Sequence, residues 1–403
     1  MLGLFLVLAL GGYGWFYLEV VQAQKRARTA NDQGNVLRDQ GRLDEAESRY
    51  RQAVEEWPEL AQGWSNLGVV YTAREQYGAA REYFERALEL DPALFETRIG
   101  LAIIHEQRGN FPQAEANYQR AIQLRPHFAE VYYNLGYLYQ QEGLYQKALE
   151  QYQRALQWKP DFLQAWSNTG QIYNLQHESG KAIQALKKAL EVAPKDGYVL
   201  VQLGKSYLDL GNYAQARQAY QQILELGEMR FEPYYGLGLI NELEGRLEQA
   251  RTYYRQAILL DSTYVESYYR LGVVMELLGD QETPELYLET IKIDPDHAAA
   301  YYSLARLYLR QGRREEGRQL MQAFQQLKEY GKEQKAKQQA LERSPNDAQV
   351  VYDLGLVHLK YRRNQQARDL FKRALAVDPN FASAREKLEE IERSLTQRPG
   401  SGR

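Results

Sequence analysis

Residues 61–94, AQGWSNLGVVYTAREQYGAAREYFERALELDPAL, decide the fold, because the chain restates them about every 34 residues from Ala27 to Phe381. Counted from the first residue of each copy, position 8 is Gly34, Gly68, Ala102, Gly136, Gly170, Gly204, Gly238, Gly272, Ala305 and Gly355. Position 20 is small in every copy, running from Ala46, Ala80 and Ala114 to Thr283, Gly317 and Ala367. Small residues at both positions let two helices approach closely, which offsets the cost of glycine in a helix interior, about 1 kcal/mol. Position 24 supplies the large partner, as in Tyr50, Phe84, Tyr118, Tyr152, Leu186, Tyr254 and Phe371. Position 27 is mostly Ala and position 32 mostly Pro, which ends the second helix. A polar turn such as Gln107-Arg108-Gly109-Asn110 separates the two helices, and its glycine suits a helix-terminating conformation.

The copies lie near 27–60, 61–94, 95–128, 129–162, 163–196, 197–230, 231–264, 265–297, 298–347 and 348–381, together an array over 22–381. Position 32 is Glu228 in the sixth copy and Ser262 in the seventh, and the eighth is one residue short. The ninth carries an insert at 325–346, QQLKEYGKEQKAKQQALERSPN, with Gly331 as its helix breaker. The insert reads either as a solvated extension of the second helix or short added helix, or as a projecting contact site. Residues 382–397 form an amphipathic capping helix over the last hairpin, and 398–403 a flexible tail.

Composition narrows the chemistry. Fifty basic residues against 53 acidic ones leave no electrostatic footprint for nucleic acid. The absence of cysteine excludes disulfides, thiolate metal sites and a cysteine nucleophile. None of the five histidines, His105, His127, His177, His297 and His358, pairs with another at metal-ligand spacing on one helical face. Carboxylate pairs such as Glu55-Glu56 and Glu315-Glu316 sit among basic neighbours as solvated faces. The expectation is a chain without catalysis, cofactor or metal.

Residues 1–21 open with MLGLFLVLALGGYGWFYL, uncharged and roughly 27 Å long as a helix, close to the hydrocarbon thickness of a bilayer. Tyr13, Trp15 and Tyr17 suit an interface, and Lys25, Arg26 and Arg28 follow. The reading is one transmembrane helix, single-pass, with the array facing the cytoplasm. Gly11, Gly12 and Gly14 are either tolerated glycines or a small-residue dimer face. With no Gly or Pro between Trp15 and Gln33, the segment is expected to run straight into the first helix of the array.

The pattern Trp64, Leu67, Gly68, Tyr71, Ala80, Phe84, Ala87 and Pro92 resembles the tetratricopeptide repeat family, and the resemblance covers 27 to 381. It implies an all-α, right-handed superhelical α-solenoid of about ten hairpins, whose concave groove binds peptides of partner proteins. Groove positions, by that resemblance, are 2, 5, 6, 9 and 12. Position 6 holds Asn66, Asn134 and Asn168, amides able to bond a peptide backbone, interrupted by Gly100, Gln202, Gly236 and Arg270. Tyr133, Tyr137, Tyr235, Tyr269 and Tyr302, at positions 5 and 9, read either as an aromatic lining or as core between hairpins. The chaperone-tail clamp of one subgroup is not reproduced: the matching positions are Asn31, Asn35, Asn66, Glu96 and Gly100, without its cations.

The functional expectation is a membrane-tethered scaffold or adaptor that binds protein or peptide partners, for assembly or regulation of a membrane-associated complex. The layout is similar to bacterial regulators of lipopolysaccharide assembly, though it lacks their cysteine module. A secreted or periplasmic assembly factor for pili or envelope polysaccharide, after cleavage near Ala23, stays open. So does a self-associating structural array, and with it a homo-oligomer.

Overall fold

The computed structural model describes residues 2–344 and 347–396, with the side chains of 2–17, 342, 395 and 396 outside the described set. The described residues form 21 α-helices and no strand, in two compact units, Met1–Glu228 and Met229–Arg403. The first unit holds α1 (Leu2–Asp39), α2 (Leu43–Glu56), α3 (Ala61–Ala73), α4 (Tyr77–Leu90), α5 (Phe95–Gln107), α6 (Phe111–Leu124), α7 (Ala129–Gln141), α8 (Tyr145–Trp158), α9 (Leu163–Leu175), α10 (Ser179–Val192), α11 (Gly197–Asp209) and α12 (Tyr213–Glu225). The second holds α13 (Phe231–Leu243), α14 (Leu247–Leu260), α15 (Val265–Leu278), α16 (Thr283–Ile293), α17 (Ala298–Arg310), α18 (Arg314–Arg343), α19 (Ala348–Lys360), α20 (Asn364–Val377) and α21 (Ala382–Thr396). Consecutive helices pair into hairpins, α1 with α2 through α19 with α20, and α21 packs on α20. This is an all-α helical-repeat solenoid.

The close approach of each pair is visible at position 8. A Cβ on Gly68 would stand 2.5 Å from the Phe84 ring, on Gly136 2.8 Å from Tyr152, and on Gly355 2.5 Å from Phe371. The second helix meets this contact with a small-large-small stripe, as in Ala46, Tyr50 and Ala53 of α2, all fully buried. Four-residue and three-residue steps place those side chains on one face.

The turn between paired helices closes with two hydrogen bonds: Gly109 N–H donates to the Glu106 carbonyl at 2.9 Å and Asn110 N–H to the His105 carbonyl at 2.8 Å. This closure requires a left-handed residue, taken by Gly41, Gly109, Gly143, Gly211, Gly245, Gly279 and Gly312. Glu75, His177 and Arg362 take the same conformation, φ 59–61°, without being glycine. The proline junction has its own tie. Trp64 and Trp166 indoles donate to the carbonyls of Pro58 and Pro160 at 2.8 Å, and the Tyr132 hydroxyl donates to Pro126 at 2.8 Å. In these three repeats position 4 holds a donor long enough to reach the proline carbonyl beyond the preceding helix.

Two sequence expectations meet the structure here. The insert lengthens α18 to 30 residues, straight through Gly331. The extension is anchored at a few points: Tyr330 and Leu341 are buried, and Lys337 donates to Asp353 at 2.9 Å. At the N-terminus α1 is one helix of 38 residues. Among the described residues no helix is long and apolar enough to cross a membrane. The side chains of 1–17, on which the expected span, its aromatic belt and its glycine face rest, lie outside the described residues, as do residues 398–403.

Candidate partner-binding face

The expected groove positions lie on the first helix of each hairpin, and several of them meet its second helix. At position 5, Tyr133 lies 5.7 Å from the Tyr152 ring and 4.9 Å from Phe162. Tyr235 lies 5.8 Å from Tyr254 and 5.1 Å from Tyr264, and Tyr269 lies 6.0 Å from Tyr287 and 4.7 Å from His297. Tyr352 repeats the arrangement with Phe371 at 5.3 Å and Phe381 at 5.1 Å. Each ring is therefore held between the second helix of its own hairpin and the residue that precedes the next first helix. These rings are half-buried. Tyr302 differs: it meets Phe324 at 5.1 Å and stays exposed.

The asparagines are placed unequally. Asn66 is buried, and its amide donates to Asn31 at 2.8 Å and Asn35 at 3.1 Å. The Asn168 amide donates to the hydroxyls of Tyr133 at 3.3 Å and Tyr152 at 3.2 Å. Asn134 carries no such side-chain tie among the described residues. One turn on, Tyr137 stacks on Tyr133 at 6.4 Å and is 42% exposed. The structure thus brings Tyr133, Asn134, Tyr137 and Asn168 together in the first unit. Tyr235, Tyr269 and Tyr302 stand at one position on three successive first helices of the second.

A regularity appears at position 12, an expected groove position whose residues were not among the candidates. The buried position-24 tyrosine donates its hydroxyl there: Tyr118 to Glu106 at 3.0 Å, Tyr152 to Gln140 at 2.7 Å, Tyr254 to Glu242 at 2.6 Å and Tyr287 to Glu276 at 2.9 Å. Each acceptor also takes a bond from, or gives one to, the following repeat. Gln141 donates to Glu106 at 2.6 Å, Gln140 to Gln171 at 3.0 Å, Arg270 to Glu242 at 3.3 Å and Arg306 to Glu276 at 3.1 Å. The recurrence of Glu or Gln one repeat apart was the sequence signal for this ladder.

The ladder sets the electrostatics of the face. Burial pushes the Glu106 carboxyl above its ordinary range, and bonds from Tyr118 and Gln141 only partly oppose it. Glu266 sits below the usual range because His297 bonds to it, with Arg270 adding to the effect against burial. For Glu276 burial acts upward, but bonds from Tyr287, Arg310 and Arg306 outweigh it and hold the carboxyl low. Burial and the Glu242 charge raise the Tyr254 hydroxyl far above its ordinary value, so it acts only as a donor. Among the described residues no group of three or more His, Asp or Glu side chains is gathered to hold a metal ion.

Stacked hairpins with a repeated, partly satisfied polar and aromatic face define an α-solenoid of the protein-interaction class. Models described as tetratricopeptide repeat match residues 31–94, 201–280 and 334–393, and also 127–195 and 286–325, and a TPR repeat model matches 104–143. The chain belongs to the tetratricopeptide repeat family. No curated protein matches it. Among solved structures, MamA is 28% identical over 40% of this chain and 95% of its own, with a TM-score of 0.38. PilF of Pseudomonas aeruginosa is 20% identical over 52% of this chain and 96% of its own, with a TM-score of 0.46. Yeast Tom70 is 16% identical over 93% of this chain and 96% of its own, with a TM-score of 0.40.

Proposed function

We propose that this chain is a non-catalytic scaffold that binds segments of partner proteins along the inner face of a right-handed superhelical array. The observation that carries the reading is the pair Asn134 and Tyr137. An amide and an exposed ring stand side by side on α7, backed by rings that are already fixed by packing. A rigid aromatic with a free hydroxyl beside an unengaged amide suits a peptide's side chain and backbone together. Asn168 supports that surface by bonding Tyr133, and the half-buried Tyr133, Tyr235 and Tyr269 with Asn66 complete the candidate face.

The array is tethered by residues 1–21 as a single-pass membrane helix, faces the cytoplasm, and organises a membrane-associated complex. What supports this part is sequence alone: an uncharged N-terminal stretch followed by Lys25, Arg26 and Arg28.

The test uses the full chain purified from membranes. Chemical crosslinking and mass spectrometry should find partner peptides attached near α7, and Asn134→Ala with Tyr137→Ala should reduce them several-fold at unchanged Tm. Unchanged capture removes the face from the reading. Carbonate-resistant membrane association that disappears on deletion of residues 1–21 supports the tether, and release of the intact chain by carbonate refutes it.

A further inference from the structure

Ahead of α17, the ion pairs of the second unit leave no guanidinium in surplus over its carboxylates. Glu232 accepts from Arg230 at 2.7 Å. Glu242 and Glu266 accept from Arg270 at 3.3 and 3.1 Å, and Glu266 also meets His297 at 3.4 Å. Glu276 instead takes two guanidiniums, Arg306 at 3.1 Å and Arg310. α17, AAAYYSLARLYLR, contains no acid of its own. Arg306 and Arg310 stand four residues apart, one above the other on the helix, with side chains 52% and 56% exposed. Each guanidinium has five N–H donors in a planar fork, so one shared carboxylate leaves most of them and one net positive charge unused.

Apolar surface lies beside this surplus. Leu277, next to Glu276, is 64% exposed, and Leu309 and Tyr302 of α17 are also exposed. Beyond α17 the chain supplies its own occupant: in the extended α18, Lys337 bonds Asp353 and Glu333 accepts from Lys360, which are positions 6 and 13 of α19. Position 13 of α17 is Arg310, without such a cover.

We propose that Arg306 and Arg310, flanked by Leu277, Leu309 and Tyr302, dock a partner-protein segment that places a carboxylate beside a leucine-like side chain. The site deepens the scaffold reading and rests on it. Charge complementarity selects this occupant: a basic segment would meet the surplus guanidiniums, and a purely apolar one would leave them unsatisfied under its cover.

The experiment titrates the full chain, in mild detergent, into fluorescein-labelled peptides in which leucine alternates with aspartate, asparagine or lysine. At low salt the aspartate peptide should bind roughly tenfold tighter than the asparagine peptide, with the advantage shrinking as ionic strength rises. Arg306→Gln with Arg310→Gln should abolish the advantage, with circular dichroism checking that the helical fold persists. Glu276→Gln, which frees both guanidiniums and keeps an acceptor for Tyr287, should strengthen aspartate binding. An aspartate advantage that is absent, or that survives the double substitution, overturns the proposal while the scaffold reading stands. If no peptide of any charge binds, both readings fall. If the chain self-associates and the double substitution dissolves that association, the occupant is a second copy and the proposal is replaced.

Discussion

At the scale of single residues, the hairpin is governed by what stands opposite position 8. A methyl group on Gly68 would fall inside contact distance of the Phe84 ring, so Gly68→Ala should cost about 1–2 kcal/mol through overpacking, despite alanine's better helix propensity. Gly109→Ala meets nothing within 4 Å but must hold φ near +72°, and should cost about 1 kcal/mol. The reverse change, Glu75→Gly or His177→Gly at φ 59°, should be neutral or stabilise slightly for the same reason. Urea denaturation of the four variants separates steric from conformational cost. Glu106 makes a pH-dependent prediction. Its carboxyl is raised in the folded chain, so its contribution is favourable below the unfolded pKa and is lost as pH rises through the folded one. Glu106→Gln should therefore raise Tm relative to the parent at neutral pH, and the difference should vanish below about pH 4. A Tm gap that widens on acidification would contradict this.

Among the elements, α18 departs most from the repeat. Its extension brings Tyr330 against His358, Tyr361 and the Arg363 guanidinium, at ring distances of 5.8, 5.2 and 4.4 Å. The Tyr330 hydroxyl lies 3.2 Å from His358 Nδ1, in a buried contact. Tyr330→Ala opens a cavity and strips His358 of that partner, with an expected loss of about 2–4 kcal/mol, while Tyr330→Phe should cost only about 1. Amide exchange should report both changes in α19. Equal protection in the alanine variant would mean that the extension does not hold α19 in place.

At the scale of the molecule, the hairpins within each unit pack mainly against their sequence neighbours, so stability should be local and should propagate from ends. α21 covers Ala367 and Phe371 through Ile391. Deleting α21 should raise amide exchange in α19 and α20 toward solvent rates and leave α3 and α4 protected as before. A uniform rise across the chain would show long-range cooperativity instead. The proposed tether is tested at this scale too, since deleting residues 1–21 removes it while leaving the contacts of the array in place.

The repeat was legible from residues 61–94 because close packing of two helices favours small, small and large side chains at fixed spacing. Helix ends were legible at proline and glycine for the same local reason. The αL conformation at Glu75, His177 and Arg362 was not, because a turn closure shared by every repeat imposes it on whatever residue falls there. The candidate face divides along similar lines. Its residue types, Asn66, Asn134, Asn168 and the tyrosines, follow from register, which any single copy establishes. Whether an amide or ring is free for a partner depends on a side chain in the next repeat or the second helix. Asn66 is engaged by Asn31 and Asn35, whereas Asn134 and Tyr137 remain open. Sequence alone therefore determined the hairpin and its stacking, while tertiary structure decided which polar groups the fold uses itself, because hydrogen bonds between repeats are made across space that the period does not encode.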